Sequence, residues 1–410
     1  MDRITQITIK NVRAIESLTL DLSRSLRVLI GENGSCKSTV IECCELLRKA
    51  SEPNFLQEFY GTHRGMPGLL RKGANSLEMA VLVQDDTDQL PTLQYQFALA
   101  SSNGYARVDT ERLTVQPLRE PSGVHKAFLR RESGCEVWDV ETERLLAIPA
   151  AEVRPDQLLL SSLGRYSPQA SLNRMLTALN GIEVHLPLET VASWAARTYQ
   201  RPEGVRAAAT HLPASRLGLL GGNLPNAWSE LKNRDQAHWD FTMELVRLGL
   251  GDRVDNVVVT PDPGGGNVYL GLRFRDLPEP VMAGNLSDGQ LAWLGWVAMT
   301  RLNASRSLLA VDEPELHLHP ALLGRVISLL SNLDGGAPVI LTTHSDRVLE
   351  MLDDPVDSVR VCSMEGNRAV VSRIDAEEYP RWLEEFGDLG QIRANGYLSR
   401  ILSSPKGIEP

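Results

Sequence analysis

The feature that most constrains the fold is a strand, a loop and a helix that follow one another between residues 26 and 50. The run LRVLI at 26–30 predicts a strand that is buried on both faces. TVIECCELLRKA at 39–50 has the apolar spacing of a helix. Between them, GENGSCKST fits the phosphate-binding pattern G-x-x-x-x-G-K-[ST], except that Cys36 replaces the second glycine. We therefore expect an α/β fold in which this loop meets phosphate at a helix N-terminus.

Two side chains of the loop are candidate ligands of a nucleotide and its metal. A lysine at this position, Lys37, would reach the β- and γ-phosphates. The Ser38 hydroxyl would bind Mg²⁺. The loop thus predicts ATP and Mg²⁺ as cofactors.

Polar side chains end two further predicted strands. Asp312 and Glu313 follow the apolar residues of SLLAV, where a carboxylate can face Mg²⁺ and the next one can act as general base toward water. His344 follows APVILTT about thirty residues later and can hydrogen-bond a γ-phosphate oxygen. Together with the loop, these residues predict nucleotide hydrolysis.

A second helix start lies in NLSDGQ at 285–290. Ser287 and Gly289 precede a strongly helical segment, so this helix N-terminus is a second candidate phosphate site. The same residues also predict a capping box, with Ser287 as N-cap and Gln290 at the N3 position. Both functions are compatible. Because one γ-phosphate does not need two such sites, we expect Ser287 to serve the nucleotide of a second protomer.

The motifs GENGS-KST, LSDGQ, LLAVDEPELHLHP and LTTHS, in this order, resemble the ATP-binding-cassette (ABC) ATPases. More narrowly they resemble the RecF/SMC-like and OLD (overcoming lysogenization defect) branch, over roughly residues 1–100 and 255–375. The resemblance implies an α/β P-loop NTPase of ABC-ATPase type, with a mixed sheet and flanking helices, that works as a homodimer or a higher assembly of dimers. By position it implies that Asp312 supports Mg²⁺, Glu313 is the base, His344 is the switch and Ser287 acts in trans. It implies phosphate binding by Gly31, Glu32, Asn33, Gly34, Ser35, Cys36, Lys37, Ser38 and Thr39.

The pattern along the chain suggests four parts. We expect the ATPase domain to comprise 1–104 and 251–375, separated by an insert at 105–250 that is irregular strand and loop at first and mainly helical from about 151. A helix and tail at 376–410 close the chain.

Bulk properties limit the partners. The net charge of −10 and the pI near 5.4 argue against a dominant nucleic-acid-binding face. Arg130, Arg131 and the arginines from Arg197 to Arg216 could form a local basic groove, although a solvated surface is the favoured interpretation. Five cysteines without C-x-x-C spacing predict a reducing cytoplasm. The sequence shows neither a signal peptide nor an apolar run long enough to cross a bilayer.

Cys36 leaves two alternatives open. A Cβ and sulfur at this position could crowd the nucleotide or strain the turn and so weaken binding. In the favoured interpretation the loop shifts slightly and still binds ATP. In the other, the thiol beside Lys37 at the helix N-terminus is oxidisable and gives redox control. His317 and His319 could suggest a metal site, but their i, i+2 spacing and the family pattern favour a turn after the strand.

The leading functional hypothesis is an ATP-dependent switch. By resemblance, it would be the ATPase of a bacterial anti-phage defence system that controls a separate nuclease or toxin, because the 66 residues after His344 are too few for the TOPRIM nuclease domain of OLD proteins. The alternative is a RecF-like ATPase that acts directly on DNA. A third is a nucleotide-binding scaffold that hydrolyses poorly because of Cys36.

Overall fold

A computed structural model describes residues 1–102, 105–116, 126–139, 141–149, 151, 153–154, 156–164, 169–191, 204–302, 305–333 and 335–402. Residues 192–203, where the sequence predicts helix, and the tail residues 403–410 lie outside this described part.

The described strands are β1 (Asp2–Val12), β2 (Ile15–Asp21), β3 (Leu26–Gly31), β4 (Ser76–Asp85), β5 (Thr92–Ser102), β6 (Tyr105–Gln116), β7 (Lys126–Arg131), β8 (Cys135–Asp139), β9 (Arg144–Ala147), β10 (Ile182–His185), β11 (Ala209–Thr210), β12 (Val254–Pro261), β13 (Asn267–Phe274), β14 (Val281–Met282), β15 (Leu308–Asp312), β16 (Val339–Thr343), β17 (Val359–Glu365) and β18 (Arg368–Arg373). The described α-helices are α1 (Lys37–Lys49), α2 (Phe55–His63), α3 (Leu159–Leu163), α4 (Ala170–Asn180), α5 (Leu224–Lys232), α6 (Gln236–Leu250), α7 (Asp288–Leu302), α8 (Pro320–Ser331), α9 (Asp346–Glu350), α10 (Pro355–Ser358), α11 (Tyr379–Phe386) and α12 (Leu389–Ala394).

A six-stranded sheet in the order β10-β15-β16-β3-β17-β18 forms the centre of the molecule. All neighbouring strands pair in parallel except β18, which is antiparallel to β17. Every residue of β3 is buried, as expected for a strand with both faces covered. Because parallel strands end at the same edge, the loops after β3, β15 and β16 meet there.

An eight-stranded antiparallel sheet in the order β2-β1-β4-β5-β6-β7-β8-β9 lies on the other side of α1. Val40 and Ile41 of α1 belong to one hydrophobic core with Ile7 of β1, Phe97 of β5 and Ile340 of β16. The helix therefore fills the space between the two sheets. This arrangement of a mixed sheet with flanking helices confirms the predicted α/β fold.

The opposite face of the central sheet is covered by α5 to α8. A small sheet of β11, β12, β13 and β14 packs beside them. Gly249 of α6 is so close to the Trp293 ring of α7 that a Cβ at this position would come within 2.2 Å of it. Residues Leu291–Leu302 of α7 are almost all buried, so this helix is held firmly in the core.

The region from 105 to 250 differs from the sequence-based expectation. Residues 105–147 contain paired strands, and β6 continues the sheet of β5, so the proposed boundary at 104/105 separates two hydrogen-bonded neighbours. The helices α3 to α6 lie beyond 151, but so does β10, which pairs in parallel with β15 inside the central sheet. Part of the expected insert thus belongs to the ATPase sheet.

Candidate functional site

The loop between β3 and α1 has the geometry of a phosphate-binding loop. Gly31 lies against β17 so closely that a Cβ there would come within 2.0 Å of the Cys362 carbonyl oxygen. Gly34 has a φ of 80°, which glycine adopts readily. The first N–H groups of α1 and the positive end of its dipole face the loop. The buried Lys37 Nζ donates to the carbonyl oxygens of Gly31 and Glu32, each at 2.9 Å.

The other loop residues divide into exposed and buried ones. Glu32 and Asn33 are exposed, as phosphate ligands of an open site need to be. Ser35 is buried, and its Oγ donates to the Glu32 carbonyl oxygen at 2.7 Å. Thr39 is buried too, and its Oγ1 accepts from Arg13 Nη1 at 3.4 Å. The Thr39 side chain therefore links the first turn of α1 to Arg13 by a hydrogen bond.

Cys36 is the N-cap of α1 and has φ 70° and ψ 15°, in the left-handed region. Its half-buried side chain caps no helix N–H, and Sγ lies 4.0 Å from the Gly34 carbonyl oxygen. The backbone thus keeps a conformation that suits glycine, at a cost of about 1–2 kcal/mol for a residue with a Cβ.

Ser38 and Asp312 come together from α1 and from the end of β15. Ser38 Oγ donates to Asp312 Oδ1 at 3.2 Å, and the Thr342 hydroxyl of the neighbouring β16 donates to the same oxygen. Mg²⁺ in nucleotide sites typically takes one or two protein oxygens and completes its shell with phosphates and water. The oxygens of Ser38 and Asp312 fit that requirement.

Glu313 and His344 form a second pair beside the first. The carboxylate Oε1 of Glu313 is 3.4 Å from His344 Nε2, and both side chains are about one third exposed, at 30% and 35%. The Glu313 backbone has φ 48° and its N–H donates to the Thr342 carbonyl oxygen at 3.0 Å. A strained, over-determined backbone of this kind is common at functional sites. The arrangement leaves a carboxylate that water can reach.

The electrostatics of Lys37 connect these groups. Burial lowers the pKa of its amine below the ordinary value, while the charges of Glu313 and Asp312 act in the opposite direction. Burial therefore disfavours the charged form of Lys37, and the two carboxylates favour it.

Glu315 belongs to this site but was missed in the sequence. Its Oε1 accepts from the His344 N–H at 3.0 Å and from the Thr343 hydroxyl at 2.7 Å. It thereby holds the backbone just before the histidine side chain. The second glutamate of the DEPE motif was the available signal, but its contact across to β16 depends on tertiary structure.

The capping box predicted at Ser287 is present. Gln290 N–H donates to Ser287 Oγ at 3.3 Å, and Ser287 N–H donates to Gln290 Oε1 at 2.9 Å. Ser287 is exposed, and no hydrogen bond joins it to the phosphate-binding loop within the described residues. Gly289 lies beside the turn after β15, where a Cβ would be 3.5 Å from the His317 carbonyl oxygen.

Arg206 is a further residue that the sequence did not assign to a site. Its buried guanidinium donates to the carbonyl oxygens of Ala283, Gly284 and Leu286 at 2.7–3.2 Å and to Asp288 Oδ1 at 2.5 Å. It holds the whole turn that precedes α7. The solvated surface favoured for the arginines is thus wrong for Arg206.

Two other arginines that were considered for a basic groove also bind protein groups. Arg131 is 6% exposed and donates to the Arg154 carbonyl oxygen, so it is not solvated either. Arg130 pairs with Glu136, and Arg197 lies outside the described residues. No basic groove is built from these contacts in the described ranges.

His317 and His319 lie in the turn between β15 and α8. His319 Nδ1 accepts from the Ala321 N–H at 3.2 Å and caps α8. His317 has a φ of 64° in the turn after β15. Within the described ranges, no cluster of three or more His, Cys, Asp or Glu residues could hold a metal ion.

Comparisons with known proteins place this geometry among nucleotide-using proteins. Residues 26–350 match the family described as AAA domain, putative AbiEii toxin, Type IV TA system. An ATP/GTP phosphatase of Helicobacter pylori (strain ATCC 700392 / 26695) is 21% identical over 372 residues, which cover 86% of this chain and 88% of the relative.

Solved structures with partial similarity include SMC head domains. The head domain from Thermotoga maritima is 13% identical with a TM-score of 0.42, covering 91% of this chain and 100% of that one. An Smc head with an extended coiled coil, bound to the C-terminal domain of ScpA and derived from Pyrococcus furiosus, is 13% identical with a TM-score of 0.47, covering 94% and 99%. Among the described residues, no helix has the length and apolarity required to cross a membrane.

Proposed function

Because the chain belongs to the family described as AAA domain, putative AbiEii toxin, Type IV TA system, we propose that it is an ATP-driven molecular switch. The protein is an ATPase. ATP closes two copies of the chain around the nucleotides, and hydrolysis releases them. The observation that carries the proposal is the convergence of Lys37, the Ser38–Asp312 pair and the Glu313–His344 pair at one edge of the central sheet.

Each group has a role that its position supports. The loop N–H groups and Lys37 bind the phosphates. Ser38 and Asp312 would hold Mg²⁺, which would supply positive charge opposite the phosphate oxygens. Glu313 orients the attacking water and accepts its proton. His344 donates a hydrogen bond to the γ-phosphate and loses this contact after hydrolysis.

The exposed start of α7 is the part of the proposed site that acts on the partner. Ser287 and Gly289 present a rigid, capped helix N-terminus to the surface. Such an end binds anions through its N–H groups and dipole. We infer a homodimer, or a higher assembly of dimers, in which Ser287 contacts the nucleotide held by the other copy.

The output of the switch is control of a separate effector protein, a nuclease or toxin, in a bacterial anti-phage defence system of the OLD-like kind. The family description names a putative toxin of a type IV toxin–antitoxin system, which supports a link to such systems but not the presence of a separate effector. The net charge of −10 favours a protein partner over a DNA backbone. We place the protein in the cytoplasm, in line with its five free cysteines.

Glu313→Gln tests the ATPase centre. We expect kcat to fall by about 100-fold or more because the base is lost, while ATP affinity is retained. Phosphate release and binding of a fluorescent ATP analogue measure the two quantities. Unchanged turnover in Glu313→Gln would exclude the assigned base.

The dimer is tested in the same background. With Mg²⁺ and ATP, Glu313→Gln is expected to elute as a dimer in gel filtration with light scattering, and adding Ser287→Arg is expected to give a monomer that still binds ATP. Ser133→Arg, in an exposed turn between β7 and β8, is the matched control. A dimer that survives Ser287→Arg would refute the sandwich. Tight duplex-DNA binding that weakens steeply with salt would instead support the RecF-like alternative.

A further inference from the structure

The C-terminal helix α12 carries an arginine that reaches the loop of the switch histidine. Arg393 Nη1 donates to the His344 carbonyl oxygen at 3.0 Å and to Asp346 Oδ1 at 2.5 Å. Its side chain is only 21% exposed. The contact spans 49 residues of sequence, so it exists only because the C-terminal segment folds back onto the ATPase domain.

The position of α12 is fixed by its packing. Leu389 and Ile392 are buried, at 1% and 0% exposure, in the core on the α7 side of the central sheet. Gly390 lies against α9 so closely that a Cβ would be 2.9 Å from the Asp346 carbonyl oxygen. Asp388 caps the helix by accepting from the Gln391 N–H at 2.8 Å. The backbone that carries Arg393 is therefore held against α9, the helix that follows the histidine.

Charged side chains hold both backbone polar groups of His344. Glu315 accepts from its N–H at 3.0 Å, and Arg393 donates to its carbonyl oxygen. The peptide on either side of the histidine is thus restrained, and the imidazole Nε2 stays 3.4 Å from Glu313 Oε1. Charge-assisted hydrogen bonds of this type are stronger than neutral ones.

We propose that Arg393 is a positioning residue for ATP hydrolysis, which acts by holding the His344 loop and so makes turnover depend on the seating of the C-terminal helix α12. The proposal rests on the proposed role of His344. It extends that role, because a partner or signal that displaced α12 would switch hydrolysis without touching the nucleotide.

The experiment is a double-mutant cycle on the full-length protein. Arg393→Gln and His344→Ala are made singly and together, and kcat is measured by phosphate release under saturating Mg²⁺ and ATP. We expect Arg393→Gln to lower kcat between about tenfold and about 100-fold, as for a catalytic group misplaced by up to about 1 Å. Affinity for a fluorescent ATP analogue should stay within about twofold, since the phosphate-binding loop is intact. In the His344→Ala background Arg393→Gln should cause no further loss.

Two variants serve as controls. Arg393→Lys keeps the cation and one donor, so it should recover much of the turnover. Arg347→Gln removes a mainly exposed arginine of α9 that pairs with Glu350, and it should behave as wild type. If Arg393→Gln does not fold, the cycle is run with Arg393→Lys, for which we expect a smaller loss of kcat that again disappears in His344→Ala.

The outcomes separate the two levels of the argument. Wild-type turnover in Arg393→Gln, or an equal loss with and without the histidine, would overturn the inference about Arg393. Unchanged turnover in His344→Ala would overturn the proposed role of the histidine itself. A loss in His344→Ala together with wild-type turnover in Arg393→Gln would leave the proposed function standing and remove only the role of α12.

Discussion

Replacing Cys36 by glycine should stabilise the protein, although it removes a side chain. Cys36 has a φ of 70°, and a residue with a Cβ pays about 1–2 kcal/mol in this region. Glycine avoids that cost but adds about 0.4–1 kcal/mol of unfolded-chain entropy. The half-buried Cys36 side chain also packs against the hydrophobic core, so some apolar contact is lost and reduces the gain. We expect a net gain of about 0.5 kcal/mol from Cys36→Gly.

Cys36→Ala is the matched control, because it removes the thiol and keeps the Cβ in the left-handed conformation. It should be at or slightly below wild-type stability, and so about 0.5–1 kcal/mol below Cys36→Gly. Urea unfolding in reducing buffer, followed by tryptophan fluorescence, gives the midpoints. Equal midpoints for the two variants would refute the strain argument.

ATP affinity distinguishes strain from crowding. Because the left-handed conformation of Cys36 belongs to the folded backbone itself, we expect the strain to be a cost of folding and not of binding. Cys36→Gly should therefore bind ATP within about threefold of wild type, well below the tenfold change that 1.4 kcal/mol would produce. A gain of about tenfold or more in Cys36→Gly would show that the Cys36 side chain obstructs the nucleotide instead.

Three further predictions concern the loop and the turn before α7. Arg206→Met should lower the free energy of unfolding by about 2 kcal/mol, because it leaves buried carbonyl groups without a donor. It should also weaken ATP-dependent dimerisation, measured by light scattering, more than ATP binding, measured with a fluorescent analogue. Gln290→Ala, which breaks half of the capping box, should cost about 0.5–1 kcal/mol in thermal or urea unfolding, and no change would contradict the capping role. Mild peroxide should lower ATP binding in wild type and not in Cys36→Gly, whereas equal sensitivity of the two proteins would exclude redox control at this cysteine.

The local elements of the site could be predicted because their signals are contiguous. The β3–loop–α1 unit and the strands β15 and β16 each combine an apolar run with polar residues at a fixed offset. The capping box at Ser287 is likewise a local pattern, and both of its hydrogen bonds form. Such patterns need no knowledge of what packs against them.

The parts that were missed depend on distant pairing. β10 has only four residues, and its place beside β15 depends on a partner more than a hundred residues away. The register between β5 and β6 shifts where Ala98 and Leu99 of β5 pair with Thr110 and Val108 of β6. This irregularity interrupts the simple alternation of side chains that marks a strand. Glu315 and Arg206 have side chains of ordinary surface type, and only tertiary contacts give them a role.

The contact between Arg206 and Asp288 bears on the proposal that the start of α7 binds an anion. An aspartate in the first turn of a helix is favoured by the helix dipole, but its charge would repel a triphosphate approaching Ser287. Arg206 lies 2.5 Å from the Asp288 carboxylate, with a side chain that is only 5% exposed, and it also binds the carbonyl oxygens of the preceding turn. The buried Arg206 guanidinium therefore offsets the negative charge of Asp288 from the protein interior, while the first N–H groups of α7 remain at the surface. Because this needs several donors in one plane, Arg206→Lys should not replace it.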